Sequence, residues 1–205
     1  AQRSQKHAAG ICSSKKTEST EIYVVEGESA GGCFSGDTKI ALADGRDISF
    51  KDLIDEDKEG KQNFCYTIKE KGSIGIEKIE NPKLTKENME VIKIILDNDE
   101  EIICTPDHKF MLRNGNYKTA KDLTKEDSLM PLYKRISKIG GKITIDGYEM
   151  TLDTNGKWIF THMLADEYNL KNKIYSATQG DARHHIDFNK RNNNPKNIIR
   201  LTKEE

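Results

Sequence analysis

Glu26-Gly27-Glu28-Ser29-Ala30-Gly31-Gly32 runs directly into Cys33-Phe34-Ser35-Gly36-Asp37-Thr38-Lys39-Ile40, and the seam between Gly32 and Cys33 decides how the chain is read. Upstream of the seam, the apolar run Ile22-Tyr23-Val24-Val25 reads as a strand that closes on an acidic, glycine-rich loop. Downstream, Cys33 stands between Gly-Gly and Ser-Gly. Small flexible neighbours leave its sulfur reachable, as a nucleophile requires.

Outward from Cys33, residues 33–133 carry the signature of a compact, mainly β unit. Ile40-Ala41-Leu42 leads into an Asp44-Gly45 turn, a hairpin signal. Ser49 and Asp52 have capping-box spacing ahead of a short helix with Phe50, Leu53 and Ile54 on one face. Phe64 to Ile68 and Ile74 to Ile76 flank a Lys-Gly turn, and Val91 to Leu96 and Glu101 to Cys104 flank Asp97-Asn98-Asp99. Thr119 and Asp122 repeat the capping-box spacing before Leu123. Residues 134–142, basic and containing Gly140-Gly141, read as a linker. Beyond it the pattern becomes α+β over 143–205. Ile143-Thr144-Ile145 and Trp158-Ile159-Phe160 are expected strands, and Thr161 is the expected cap of a helix carrying Met163, Leu164 and Tyr168.

Composition narrows the classes. A third of the 205 residues are charged but the signs cancel to a net charge of −1, so only local patches can argue for nucleic-acid binding. No stretch approaches a membrane span and the N-terminus lacks an apolar secretory core, so no membrane partner and a cytoplasmic location are expected. The four cysteines have neither metal-ligand spacing nor the density of a disulfide scaffold.

The loop Glu26 to Gly32 after its apolar strand resembles the Toprim motif of DNA gyrase B and related type II topoisomerases. The resemblance implies that residues 1–32 are a flanking host segment, with Glu26 serving metal-dependent DNA cleavage and rejoining. A strand and a loop cannot bury a Toprim sheet alone.

Cys33 to Ile40, with Thr105-Pro106-Asp107-His108 after the strand Glu101 to Cys104, resembles the two halves of an intein signature. The stretch Gly60-Lys61-Gln62-Asn63-Phe64-Cys65-Tyr66-Thr67-Ile68 is similar to cyanobacterial gyrase B inteins. The family implies the horseshoe-like Hint fold shared with hedgehog autoprocessing domains. It also implies an N–S acyl shift in which the Cys33 sulfur attacks the Gly32 carbonyl. His108 would act as acid/base at the scissile nitrogen and Thr105 would hold the peptide. The residue types suit these roles, since Cys is the strongest side-chain nucleophile and His titrates near neutrality. Glycine leaves the carbonyl unobstructed. Asp37 and Asp107 read equally well as polar supports or as turn residues. No cofactor is implied for this step.

Arg183-His184-His185-Ile186-Asp187-Phe188-Asn189, followed by Asn192-Asn193-Asn194-Pro195-Lys196-Asn197, resembles the HNH nuclease motif. That family implies a ββα-metal fold around one divalent cation such as Mg. His184 would be a ligand, His185 the general base, and Asn193 the residue that orients it. From Arg183 to Lys203 there are six Lys/Arg residues against one acid, Asp187, which makes Arg183, Lys190, Arg191 and Lys196 candidate DNA contacts. A solvated surface run has the same composition. For His162 a structural role is expected.

The chain carries no His-Asn ending, so a C-terminal intein half and the second host segment are expected partners, with DNA and the gyrase A subunit as partners of the spliced host. The motif's last ligand should fall beyond Glu205, so an inactive nuclease is expected. Two other readings stay open: a plain gyrase B fragment, and the amino-terminal half of a split intein.

Overall fold

The computed structural model describes residues 8–12, 22–24, 32–69 and 72–202, the first two segments as backbone alone. It is mainly β. The strands are β1 (Ala8–Cys12), β2 (Ile22–Val24), β3 (Phe34–Ser35), β4 (Lys39–Ala41) and β5 (Asp47–Ser49). After helix α1 (Phe50–Lys58) come β6 (Phe64–Ile68), β7 (Ile74–Lys78), β8 (Lys83–Lys86), β9 (Ile92–Leu96) and β10 (Glu101–Cys104). Then follow β11 (Lys109–Met111), β12 (Tyr117–Thr119), β13 (Lys134–Ile136), β14 (Glu149–Leu152) and β15 (Trp158–Phe160). Helix α2 (Thr161–Lys171), β16 (Ala182–His185) and β17 (Ile198–Leu201) complete the order.

The chain divides into two compact units. One comprises residues 1–40, 48–61 and 79–131; the other comprises 41–47, 62–78 and 132–205. Packing therefore does not follow linear boundaries at 33, 133 and 143. The hairpin β6–β7 lies in the second unit because Phe64, Ile74 and Ile76 are buried with Leu164, Ala165 and Ile198.

In the first unit, a six-stranded sheet has the order β1-β9-β10-β3-β2-β8. Strand β9 alternates perfectly, burying Ile92, Ile94 and Leu96 against Cys104, Ala120, Leu123 and Leu129. Each fully buried aliphatic side chain contributes about 1.5–3 kcal/mol. The β9–β10 hairpin turns where expected, with Asp99 in the left-handed region (φ 62°). Helix α1 starts as expected: Ser49 Oγ accepts from the Asp52 N–H at 3.1 Å while Phe50 and Leu53 are buried. At Thr119 the hydroxyl bonds the Asp122 carboxylate instead of a backbone N–H, and only a single 3₁₀ turn follows.

The second unit differs from its reading in three places. Residues 134–142 are not simply a linker, since β13 pairs with β14. The expected strand at 143–145 is displaced to β14, because Gly140 and Gly141 both have positive φ and turn the chain there, leaving Ile145 exposed. Thr161 is the first residue of α2 rather than its cap, which is Phe160. The helix holds this unit through Asp166, whose side chain is 4 % exposed. Its carboxylate accepts from Arg200 Nη2 at 2.7 Å, Arg183 Nε at 3.0 Å and Tyr175 Oη at 2.9 Å. Burial by itself raises this carboxyl, but those hydrogen bonds outweigh it and hold Asp166 below the ordinary carboxylate range. Because the folded value is depressed, its stabilisation is present above the unfolded carboxyl pKa and is lost as the pH falls through the folded one. Asp166→Ala is expected to cost about 3–5 kcal/mol in urea unfolding, because it strands a buried Arg200 charge. A loss within the ~1 kcal/mol of an exposed ion pair would count against the cluster. No helix among the described residues is long and apolar enough to cross a membrane.

Candidate active site at the Gly32–Cys33 bond

Strand pairing builds the site. Phe34 of β3 lies opposite Cys104 of β10, so the residues just outside that pair, Cys33 and Thr105, also meet. The Thr105 N–H donates to the Cys33 carbonyl at 2.9 Å. In return the Cys33 N–H donates to Thr105 Oγ1 at 3.0 Å. Thr105 also starts the turn that presents the histidine, since the His108 N–H donates to the Thr105 carbonyl at 3.1 Å.

His108 is buried, its ring 4.0 Å from the centroid of Phe34 and 4.9 Å from that of Phe110. Burial pulls its pKa below the usual histidine value, while a hydrogen bond to the Gly32 backbone and the nearby Asp107 charge push back. The imidazole is therefore neutral at neutral pH. Its Nδ1 is buried without a partner among the described residues, so the other ring nitrogen makes the bond to Gly32. Thr105, rather than His108, is bonded to the Cys33 nitrogen.

Gly32 touches the backbone of His108. A Cβ at position 32 would lie 2.1 Å from His108 Cα and 2.7 Å from its nitrogen, a collision with main chain that no rotamer relieves. Gly32→Ala is expected to shift the bond relative to His108, and a displacement on the order of 1 Å costs about 10²-fold in rate. The check is thiol-induced cleavage after residue 32; an unchanged rate means the contact does not constrain the bond.

Of the remaining candidates in this unit, Asp37 is exposed and pairs with Lys51 at 3.4 Å. Asp107 is exposed and acts on His108 only through its charge. Glu26 lies outside the described residues. Thr85, which no motif singles out, places Oγ1 3.4 Å from Cys33 Sγ. The register of β8 is its only signal, and a register is invisible before the fold is known.

In the second unit, His185 is buried with Nε2 3.1 Å from Asn193 Oδ1, so the expected pairing of these two is present. Asn193 is fully buried and its N–H donates to the Ala43 carbonyl. His184 points to the opposite face of β16, as adjacent strand residues must, and its ring meets Phe188 at 5.0 Å. His162 lies 5.7 Å from the His185 ring. Burial, followed by the charges of His185 and Arg183, lowers its pKa to about 4. Arg183 is committed to Asp166, whereas Lys190, Arg191 and Lys196 are exposed. Among the described residues no three His, Cys, Asp or Glu side chains gather as metal donors. The two histidines face apart and His185 is held by an amide, so a divalent ion does not fit this hairpin as it stands.

Comparison with known proteins bears on the family rather than on individual side chains. A family model described as the intein splicing domain matches residues 40–203. The B subunit of DNA gyrase from Synechocystis sp. is 60% identical over 196 residues, covering 95% of this chain and 18% of that protein. The replication factor C small subunit of Methanocaldococcus jannaschii is 29% identical over 111 residues, covering 54% of this chain and 6% of that protein. The DNA-directed RNA polymerase III subunit rpc2 of Dictyostelium discoideum is 29% identical over 115 residues, covering 51% and 6%. The chain thus spans less than a fifth of the length of each relative. With the family model extending over about four-fifths of its residues, the chain belongs to the intein splicing domain family.

Proposed function

We propose that the chain performs the first step of protein splicing, an N–S acyl shift at Gly32–Cys33, inside the precursor of a gyrase B-type topoisomerase. The observation that carries this reading is the double hold on one peptide bond. Thr105 Oγ1 accepts from its nitrogen, His108 lies directly against Gly32 on its other side, and Cys33 supplies the thiol beside it.

The steps balance. Neutral His108 takes up the thiol proton, the sulfur attacks the Gly32 carbonyl carbon, and a C–S bond forms. The carbonyl oxygen gains charge while His108 donates to it. The C–N bond then breaks as the same proton passes to the Cys33 nitrogen, which leaves as an amine. Thr105 fixes the nitrogen throughout. The thioester is the product, and transfer onward requires the C-terminal intein half and the second host segment.

Similarity to parts of proteins with unrelated names favours an insert over an integral topoisomerase fragment. On this proposal residues 1–32 belong to the host, Glu26 to its Toprim metal site, and the host acts in the cytoplasm with DNA and a gyrase A subunit. The hairpin β16–β17 belongs to an HNH-type homing element that meets DNA through Lys190, Arg191 and Lys196. Its metal chemistry requires a donor from outside the described residues.

The test is addition of dithiothreitol to the chain. Release of a fragment ending at Gly32, identified by mass, is expected. Full-length protein persisting under conditions that cleave thioesters sinks the reading.

A further inference from the structure

We propose that Thr85 is a further catalytic residue of this acyl shift, aimed at the Cys33 sulfur by a β-bulge formed against the segment that precedes the splice border. The inference rests on the Gly32–Cys33 reading and adds to it an element that no signature motif contains.

The bulge is read from the register. Strand β8 pairs antiparallel with β2, with Ile22 opposite Lys86 and Tyr23 opposite Leu84. A regular ladder would put Thr85 opposite Tyr23. Instead Thr85 is the surplus residue, and the register shifts there. A bulge bends its strand and re-aims the side chain it carries, and bulges are over-represented beside active sites. Here the re-aimed hydroxyl reaches Cys33 Sγ at 3.4 Å, within hydrogen-bond range for sulfur.

A hydroxyl suits a sulfur that must lose its proton, because it can both accept and donate. In the thiol form Thr85 Oγ1 accepts the S–H and holds the sulfur in place. As the proton leaves, the hydroxyl turns and donates to the thiolate, then to the sulfur as its bond to the Gly32 carbon forms. Thr85 keeps its own proton, so the balance of the step is unchanged. Cys33 is thereby fixed on three sides: at its nitrogen and its carbonyl by Thr105, and at its sulfur by Thr85.

The bulge also makes the reaction depend on residues upstream of the border. Strand β2 lies on the host side of Gly32, and the β2–β8 pairing sets where Thr85 points. That dependence runs through backbone hydrogen bonds, so it asks for an extended segment rather than for particular side chains.

Dithiothreitol-induced release after Gly32, followed in the full chain across pH, tests this. Thr85→Val keeps the shape and β-branching on an exposed strand, and is expected to slow release about tenfold, the size of a hydrogen bond to a charged group. Its pH–rate profile should move to higher pH. Thr85→Ser should restore both rate and profile. Tyr23→Pro, which disrupts the ladder opposite the bulge, should slow the wild-type background but add little to Thr85→Val, since the two act through one contact. A Thr85→Val rate and pH profile equal to wild type, or a Ser variant as slow as Val, overturns the role of Thr85 while leaving the splice border in place. Absence of any release from the wild type overturns both.

Discussion

Cys33→Ala abolishes thiol-induced release after Gly32 while leaving the fold intact; this is the expected result with the largest effect. The side chain is only partly buried, so its truncation leaves little cavity. The hold on the peptide survives as well, since Thr105 contacts the Cys33 main chain through the N–H and the carbonyl, both present in alanine. Geometry thus stays while the nucleophile goes, and with it the only route to a thioester at this bond. Two measurements check it: intact mass after overnight dithiothreitol, and an unfolding curve that overlays the wild type. Residual cleavage at Gly32 in the alanine variant would show that the added thiol attacks the peptide bond without help from position 33.

His108→Ala is expected to slow release by about 10²–10⁴-fold, the usual worth of a positioned acid/base group. The loss has two sources, the proton carrier and the donor to the Gly32 oxygen. The wild-type pH profile carries the same signature. Burial depresses the His108 pKa, so the neutral, proton-accepting ring persists below the ordinary value of 6.5. The His-dependent fall in rate should therefore appear on the acid side of 6.5 and vanish in the variant. Folding follows the same sign. The unfolded chain takes up protons at the ordinary histidine value while buried His108 and His162 resist, so stability is full above about 6.5 and declines as pH falls below it. A His108→Ala rate within threefold of wild type, or an unaltered acid limb, would remove His108 from the chemistry.

Local signals in the sequence are enough to place these groups. The alternation of Ile92, Ile94 and Leu96, the Asp97-Asn98-Asp99 turn and the strand ending at Cys104 put Thr105 and His108 at the end of a hairpin before any fold is known. Ser49 announces α1 for the same reason: capping is settled within one turn of chain. What is not legible depends on distant partners. Nothing in Phe64 or Ile76 says that they bury against Leu164 and Ile198 instead of the sheet nearer in sequence. Arg183 looks available for DNA in the sequence, yet its guanidinium sits on Asp166, a residue on a different element. Thr85 is the clearest case, because a one-residue surplus in a strand pair exists only in the pairing.

The contact between Gly32 and the His108 main chain carries a consequence for where such an element can live. An insert with no room for a methyl group ahead of its first residue cannot settle at an arbitrary codon of a host gene. It can persist only where the host itself demands a bare backbone. On the proposed reading, the sequence Gly31-Gly32 ahead of Cys33 supplies such a bare backbone, and any change of Gly32 that suits the host would dislodge its guest.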